Sequence, residues 1–308
     1  MFVNFSMQII LLYIFCTALL FGDHKSQATF LLISPGAISQ GMGEAMVAYS
    51  ESSYMSYYNP AAMSFSSRNR FSFTHVNWLP NLAADLYHEF IAFNYRLNDD
   101  LAIGGHYIYL NLGEQIGMDG FGNPTSSWNR YMSAISLSFA YRLTNYSSIG
   151  LTAKNYKNNH EYYGYTGTAF DLSYFRQKNR LSIGLQIANI SSEHTAPKNF
   201  RFGSMYKVFH NGHNIINLSF QSEKYLPRRH PVVFQNEFIY KCGMEYNYSE
   251  KYFLRAGYIY DNPSVMNPAY PTYGWGIHLW QLGFDFAYTG GEQGHPRTST
   301  MYFSFSFQ

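Results

Sequence analysis

The sequence predicts an all-β fold, a transmembrane antiparallel β-barrel of about 14 strands, and three observations support this prediction. In the last strand, residues 301–307, methionine or phenylalanine alternates strictly with tyrosine or serine. The apolar run Met7–Phe21 indicates export. Charged residues make up only 13% of the chain and aromatic residues 19%, which is few charges for a soluble surface. A strand with one strongly apolar face needs apolar surroundings, and an outer membrane provides them.

The N-terminal run predicts a signal peptide over residues 1–28. Met7–Phe21 has the length of a signal-peptide apolar core and is too short for a membrane-spanning helix. Ser26, Gln27 and Ala28 offer small residues near a cleavage site, so we expect cleavage near Ala28. No other run reaches the ~20 apolar residues that a membrane helix needs. The mature chain keeps one cysteine, Cys242, so no internal disulfide is expected.

Alternating hydrophobicity predicts fourteen strands after the leader. The pattern is plainest in residues 135–143 and 181–188, where apolar side chains alternate with small or polar ones. The predicted strands are Phe71–Asn77, Tyr87–Leu97, Leu101–Leu110, Met132–Leu143, Ser147–Tyr156, Thr168–Gln177, Arg180–Asn189, Phe200–Phe209, His213–Glu223, Asn236–Asn247, Tyr252–Tyr260, Gly274–Leu279, Leu282–Tyr288 and Ser299–Phe307.

The predicted connections fall into a short and a long class that alternate along the chain. Outer-membrane barrels have short periplasmic turns, longer external loops and an even number of strands, with both termini in the periplasm. The short turns are Asn98–Asp100, Thr144–Tyr146, Lys178–Asn179, His210–Gly212 and Tyr248–Lys251, and a turn at Trp280–Gln281 is inferred from a change of phase alone. The long loops are Trp78–Leu86, Asn111–Tyr131, Lys157–Gly167, Ile190–Lys198, Lys224–Gln235, Asp261–Tyr273 and Thr289–Thr298.

A soluble β-sandwich is the competing fold, because any half-buried strand alternates. A soluble sandwich would ordinarily carry more lysine and glutamate on its outer faces. The polar face here is mostly serine, glycine, asparagine and glutamine, which suits a water-filled or plugged lumen. We therefore expect residues 67–308 to form the barrel as one domain.

Residues 29–66 do not alternate and are not expected to form strands. The segment is rich in glycine, alanine, serine and methionine, and Pro35 and Asn59–Pro60 interrupt it. It holds three motifs, Phe30–Ala37, Gly41–Ala45 and Asn59–Ala61. Further motifs follow at Trp78–Leu82, Ala102–Gly104, Leu112–Glu114 and Asp119–Pro124. Together they resemble the PorV/PorQ family, outer-membrane proteins of the type IX secretion system, and the Trp78–Pro80 loop is closer to PorV.

The resemblance implies a barrel similar to the FadL fatty-acid transporters, with residues 29–66 folded inside the lumen as a plug. A segment too irregular to cross lipid can lie at membrane depth only where the lumen wall satisfies its backbone. Small residues such as Gly41 and Gly43 would allow close packing, and Asn59–Pro60 would turn the chain toward the first strand. The plug motif is Pro35, Gly41, Gly43, Glu44, Asn59 and Pro60. Structural packing alone is the other reading of these residues.

The resemblance also implies a non-enzymatic carrier in protein secretion. A PorV-like protein binds the C-terminal signal domain of secreted cargo and hands that cargo to the translocon or to the surface attachment machinery. The expected partners are such cargo proteins, other type IX components, and outer-membrane lipid and lipopolysaccharide. The candidate cargo contacts in the external loops are Trp78, Leu79, Pro80, Phe121 and Trp128. An interfacial aromatic belt is the other reading, above all for Trp128.

A FadL-like transporter of hydrophobic small molecules is the alternative function. Such a barrel would need a kinked strand beside an apolar lumen pocket. Gly104–Gly105 in the third strand is the only suggestive position, and paired glycines also mark a bulge or close approach by the plug.

Enzymatic and nucleic-acid-binding functions find no support in the sequence. The eleven histidines are scattered without metal-site spacing, and Glu114 and Asp119, the closest carboxylate pair, belong to a loop. No glycine-rich phosphate loop or extended basic patch is present, so no nucleic acid, cofactor or metal is expected. The basic stretch Lys224–His230 could contact lipopolysaccharide phosphates, or be a solvated loop.

Overall fold

The predicted 14-stranded barrel is confirmed. The computed structural model describes residues 28–83, 85–160, 164–192, 195–226, 238–260, 269–291 and 297–308. Over these residues the chain forms a closed antiparallel barrel in which each strand pairs with its neighbours in the sequence. The strands are β1 (Arg70–Asn77), β2 (Tyr87–Arg96), β3 (Leu101–Met118), β4 (Pro124–Thr144), β5 (Ser147–Asn159), β6 (Tyr165–Lys178), β7 (Leu181–Ile190), β8 (Asn199–Asn211), β9 (Asn214–Tyr225), β10 (Phe238–Tyr248), β11 (Tyr252–Tyr260), β12 (Ala269–Leu279), β13 (Leu282–Thr289) and β14 (Met301–Phe307).

The barrel closes by pairing of its first strand with its last. In β1 and β14 the partners run from Phe71 with Phe307 to Asn77 with Met301. Phe305 is 55% exposed on the outer face, whereas Ser304 is 1% exposed on the inner face. The two-residue period of a strand therefore separates a lipid-facing surface from the interior, as the sequence predicted.

The longest predicted loop, Asn111–Tyr131, is wrong in its bounds. β3 continues to Met118 and β4 starts at Pro124, so only the tip 119–123 lies outside strands. The ladder passes an irregularity between Asn111 and Glu114, where Gly113 has φ 74°, and then continues with Glu114 opposite Asn129. A bulge at a glycine in the left-handed conformation lets a strand bend without ending. The predicted loop at 157–167 is also shorter, because β5 extends to Asn159 and β6 begins at Tyr165.

The turn inferred from phase alone is present. β12 ends at Leu279 and β13 starts at Leu282. Trp280 takes a left-handed φ of 54° and is 93% exposed. The short turns lie at the end of the barrel that holds Gln308, which places that end in the periplasm and the longer loops outside.

Residues 28–66, here called the inner segment, contain no strand. The segment has two one-turn helices, α1 (Ala37–Gly41) and α2 (Met55–Tyr58), and two 3₁₀ helices, Thr29–Leu32 and Pro60–Phe65. No helix of the described part of the chain is long and apolar enough to cross a membrane. α1 contacts β11 to β14, whereas α2 and the second 3₁₀ helix contact β2 to β6. A segment that touches opposite walls of a closed barrel lies inside it. Residues 1–27, and with them the leader, lie outside the described residues.

Candidate functional site

Inward-facing polar side chains hold the backbone of the inner segment. The Ala37 amide donates to Ser304 Oγ at 3.0 Å, and the Val47 amide donates to Gln221 Oε1 at 2.9 Å. On the opposite wall the Ala61 amide donates to Ser173 Oγ at 3.0 Å. Irregular backbone at membrane depth is stable only when its polar groups are paired in this way.

Glycines of the wall make room for this backbone. A Cβ added to Gly184 would overlap the carbonyl of Val47, and a Cβ added to Gly257 would overlap the amide of Gly43. Close packing was predicted for glycines of the inner segment and, among wall glycines, only for Gly104–Gly105. Gly184 and Gly257 also contribute to the fit, and their signal was a small residue at an inward position of a strand.

Asn59 links three parts of the interior. Its side chain is fully buried and donates from Nδ2 to the Val47 carbonyl at 2.7 Å and to the Tyr174 carbonyl of β6 at 3.2 Å. Its Oδ1 accepts from the Ala61 amide at 3.1 Å, with Pro60 at the first position of the 3₁₀ helix. Asn59–Pro60 therefore caps a helix and also ties the segment to itself and to the wall.

The other predicted plug residues also lie on the wall side of the segment. Pro35 is buried just before α1. Gly41 approaches Gly274 of β12, where a Cβ on Gly41 would lie 3.2 Å from the Gly274 Cα. Gly43 and Glu44 take left-handed φ values of 58° and 60°, and this bend brings Glu44 Oε2 to 2.7 Å from Lys241 Nζ.

A chain of buried ion pairs follows the inner wall from β5 to β13. Glu223 accepts from Arg201 Nε at 3.0 Å with one oxygen and from Lys241 Nζ at 2.5 Å with the other. Buried charges need this kind of pairing, since an isolated charge in the interior is costly. The remaining pairs are Lys154 with Asp171, Arg255 with Glu245, Arg255 with Asp285, and His278 with Asp285. The sequence analysis expected an uncharged polar lumen face and missed this network.

The wall from β2 to β4 is largely apolar. Phe90 and Ile108 of the wall are buried together with Phe30 of the inner segment. His88 is fully buried beside Phe90, and neither of its ring nitrogens has a hydrogen-bond partner among the described residues. The interior therefore has a charged side, from β5 to β13, and a largely apolar side, from β2 to β4. No three histidine, cysteine, aspartate or glutamate side chains of the described residues converge as a metal site.

The β3–β4 hairpin projects beyond the neighbouring strands at the external end. Its partners end at Tyr87 of β2 and Asn159 of β5, so residues 112–130 form a two-stranded ribbon. Phe121 at the tip is 94% exposed. Asp119 fixes this tip, because its carboxylate accepts from the amides of Phe121 and Asn123, both at 2.9 Å. Hydrogen bonds from Asn123 lower the pKa of Asp119 below its ordinary value.

The remaining cargo-contact candidates are less exposed than Phe121. Trp78, Leu79 and Pro80 lie together after β1 and are all half-buried. Trp78 packs against the cluster that contains Ala37 and Val76, which places one side of its ring on the interior. Trp128 lies within β4, half-buried, with its ring edge-on to His160 at 6.4 Å. The five candidates thus share the external end of the barrel but occupy two places on it.

The strand is regular at Gly104–Gly105, the position in β3 that suggested a kink. Gly104 pairs with Asn94 and Ser138, and Gly105 pairs with Phe93 and Leu137, without a register shift. A Cβ on Gly104 would overlap the sulfur of Met63. This glycine therefore marks close approach by the inner segment and not a kink.

The comparisons with known proteins agree with this architecture. The sequence matches the family of type IX secretion system protein PorV over residues 24–178. This match includes the inner segment, the Trp78 loop and the β3–β4 hairpin. None of the curated proteins matches the sequence.

Solved outer-membrane barrels share the fold at low sequence identity. The toluene transporter TbuX of Ralstonia pickettii has 15% identity and a TM-score of 0.59, covering 91% of this chain and 99% of its own. The toluene transporter TodX of Pseudomonas putida has 13% identity and a TM-score of 0.58, covering 92% and 97%. A FadL homologue of Pseudomonas aeruginosa has 8% identity and a TM-score of 0.52, covering 89% and 97%. The barrel is therefore FadL-like, and the family match places it in the outer membrane.

Since the match spans half of the sequence and includes the inner segment and the external hairpin, the chain belongs to the PorV family of type IX secretion system proteins.

Proposed function

We propose that this barrel is a non-enzymatic, PorV-like carrier that binds the C-terminal signal domain of secreted cargo and hands it to the translocon or attachment machinery. The proposal rests on the family and on one observation, the projecting hairpin with Phe121 at its tip. Phe121 is 94% exposed at this tip, so it offers apolar area that a partner could bury on binding. The Asp119 hydrogen bonds hold the tip in one conformation, so little ordering would be needed on binding.

The test compares two exposed aromatic residues at opposite ends of the barrel. Phe121→Ala removes the proposed contact, and Trp280→Ala, at a position 93% exposed in a periplasmic turn, is the matched control. Burying a phenylalanine is worth about 1.5–3 kcal/mol, so F121A is expected to lower cargo retention about tenfold or more. Tagged barrels are purified from outer membranes, and co-purifying proteins that share a C-terminal signal are quantified by mass spectrometry. Equal cargo recovery with F121A and W280A would contradict the proposed contact.

The inner segment is proposed to act as a plug that keeps the lumen closed to solutes. The support is its anchoring on both walls and its contact with β2 to β6 and β11 to β14. Single-channel recording is expected to show no steady conductance from the intact barrel. A stable open channel of the intact barrel would refute the plug role.

Export through a cleaved leader completes the proposal. The apolar run Met7–Phe21 and the small residues just before position 29 support this part of the proposal. N-terminal sequencing of the protein from outer membranes is expected to begin near residue 28. A mature chain that still carries the apolar run would contradict cleavage.

Transport of a hydrophobic small molecule is the second candidate, and the largely apolar side of the interior favours it. His88 is buried beside Phe90 without a hydrogen-bond partner among the described residues, and the polar group of an otherwise apolar ligand could pair with it. Uptake of a labelled fatty acid by cells with and without the barrel separates the two functions. Uptake that depends on the barrel, together with bound lipid and no cargo, would favour transport.

A further inference from the structure

The periplasmic rim of the barrel is charged unevenly. The turn between β6 and β7 carries three exposed cations, Arg176, Lys178 and Arg180. No ion pair joins any of the three to an acidic side chain among the described residues. On the turn between β2 and β3, by contrast, the exposed Asp99 pairs with Arg96 at 3.1 Å. The first sector of the rim is therefore basic, and the second is mixed in charge.

The basic sector lies at the edge of the lipid-facing surface. Arg176 and Lys178 pair across the ladder with Ile183 and Leu181 of β7, so they share the outward face of the sheet. Leu181 on that face is 42% exposed. Side chains that start on an apolar outer face and end in a charge reach toward the polar head groups of a membrane.

Neighbouring residues extend and order this sector. The Lys178 ammonium lies 5.6 Å from the ring centre of Tyr146, which is 49% exposed. The Lys207 amide donates to the Arg180 carbonyl at 2.9 Å, which holds the backbone of the turn against β8. Exposed tyrosines beside lysines are typical of membrane–water interfaces.

We propose that Arg176, Lys178 and Arg180 form a binding site for the phosphate groups of anionic phospholipid in the periplasmic leaflet. The charge of the sector selects an anion, and its outward direction beside Leu181 selects a lipid head group over a soluble periplasmic partner. Clustered Lys and Arg at a membrane surface attract anionic lipid, and each cation strengthens the attraction. The site is independent of cargo binding at the external hairpin.

The test measures lipid retained by the purified full-length barrel. Detergent-solubilised protein is mixed with phosphatidylglycerol or phosphatidylethanolamine, and bound lipid is counted by native mass spectrometry. Wild-type protein is expected to prefer phosphatidylglycerol. Arg176→Gln with Lys178→Gln is expected to reduce that preference about 5-fold per cation, so about 25-fold for both.

Two variants make the result specific. K157Q removes a charge from an outward-facing strand position at the external end, where this lysine lies over Tyr131, and is expected to keep the preference. R176K/K178R keeps both charges and is also expected to retain lipid. Compact migration on unheated gels verifies that each variant is folded.

Three results would overturn the proposal. The first is no preference of the wild type for phosphatidylglycerol, and the second is a loss in K157Q as large as that in R176Q/K178Q. The third is unchanged lipid retention in R176Q/K178Q together with loss of a co-purifying acidic periplasmic protein, which would make the sector a protein interface.

Discussion

The buried carboxylate of Glu223 offers a quantitative test of how far water is excluded from the barrel interior. Its two oxygens serve Arg201 and Lys241, and all three side chains are at most 6% exposed. In Glu223→Gln, Lys241 still has Glu44 at 2.7 Å, but Arg201 loses its carboxylate. Its remaining partners are uncharged: Gln186 Oε1 at 2.9 Å, the Tyr57 carbonyl at 3.5 Å, and the rings of Tyr57 and Tyr58. A buried cation then lacks its counter-charge, which costs about 3–5 kcal/mol.

Two further Glu→Gln variants, at more exposed glutamates, are expected to lower stability less. The Glu44 side chain is 15% exposed, and its loss leaves Lys241 paired with Glu223, so E44Q is expected to cost about 2 kcal/mol. Glu250 pairs with Arg68 at the rim, where the side chains are 61% and 46% exposed, and E250Q is expected to change stability by less than about 0.5 kcal/mol.

The assay is unfolding by guanidinium in lipid vesicles, followed by tryptophan fluorescence. The expected order of destabilisation is E223Q, then E44Q, then E250Q. E223Q/R201M removes the uncompensated cation and is expected to recover most of the stability, because a buried pair can be replaced by apolar groups at little cost. If E223Q were no more destabilising than E250Q, water would surround Glu223 and the argument from desolvation would fail.

Three shorter predictions follow from the packing of the segment and the rim. Gly184→Ala forces its Cβ onto the Val47 carbonyl and is expected to cost about 2 kcal/mol in the same unfolding assay, whereas Gly120→Ala, with no atom within 4 Å, is neutral. Trp78→Ala is expected to lower the free energy of unfolding by about 2 kcal/mol because its ring packs on the interior, whereas Phe121→Ala is expected to leave it unchanged. The reverse order would mean that the Trp78 ring does not pack on the interior. The depressed pKa of Asp119 keeps the carboxylate that orders the tip ionised until the pH falls below the ordinary range of an aspartate, so cargo retention is expected to fall only in that acidic range. Asp119→Ala should show the same loss at neutral pH, and retention unaffected by D119A would separate tip order from binding.

Two-residue periodicity was enough to find every strand, because one face of each strand meets lipid and the other meets the interior. The inner segment was recognisable by the absence of that rhythm and by the Asn59–Pro60 breaker. Strand ends were harder to place. Residues 111–131 are rich in glycine, asparagine and serine, and their continuation as β3 and β4 depends on cross-strand pairing past Gly113, which composition does not report.

The charged side of the lumen was not predictable from the sequence, because the residues of each ion pair are well separated along the chain. Glu223 and Lys241 are 18 positions apart and meet only through the register of β9 and β10. Each charge, read alone, is a polar residue at an inward position. Phe121 was identified as a candidate from its loop and the resemblance, and the structure adds that a rigid turn presents it.

The hydroxyl of Tyr54 bonds both to Thr74 of β1 and to Ser304 of β14, at 2.9 Å each. Tyr54 therefore bridges the two strands that close the barrel, and the Ala37 amide donates to the same Ser304 hydroxyl. If the barrel closed first, residues 28–66 would have to enter a lumen already filled by inward-facing side chains to reach the β1–β14 junction. The geometry thus favours an order of assembly in which residues 28–66 fold first and β1 then pairs with β14 around them. Substitutions that remove the Tyr54 hydrogen bonds should therefore slow barrel folding more than they destabilise the folded protein.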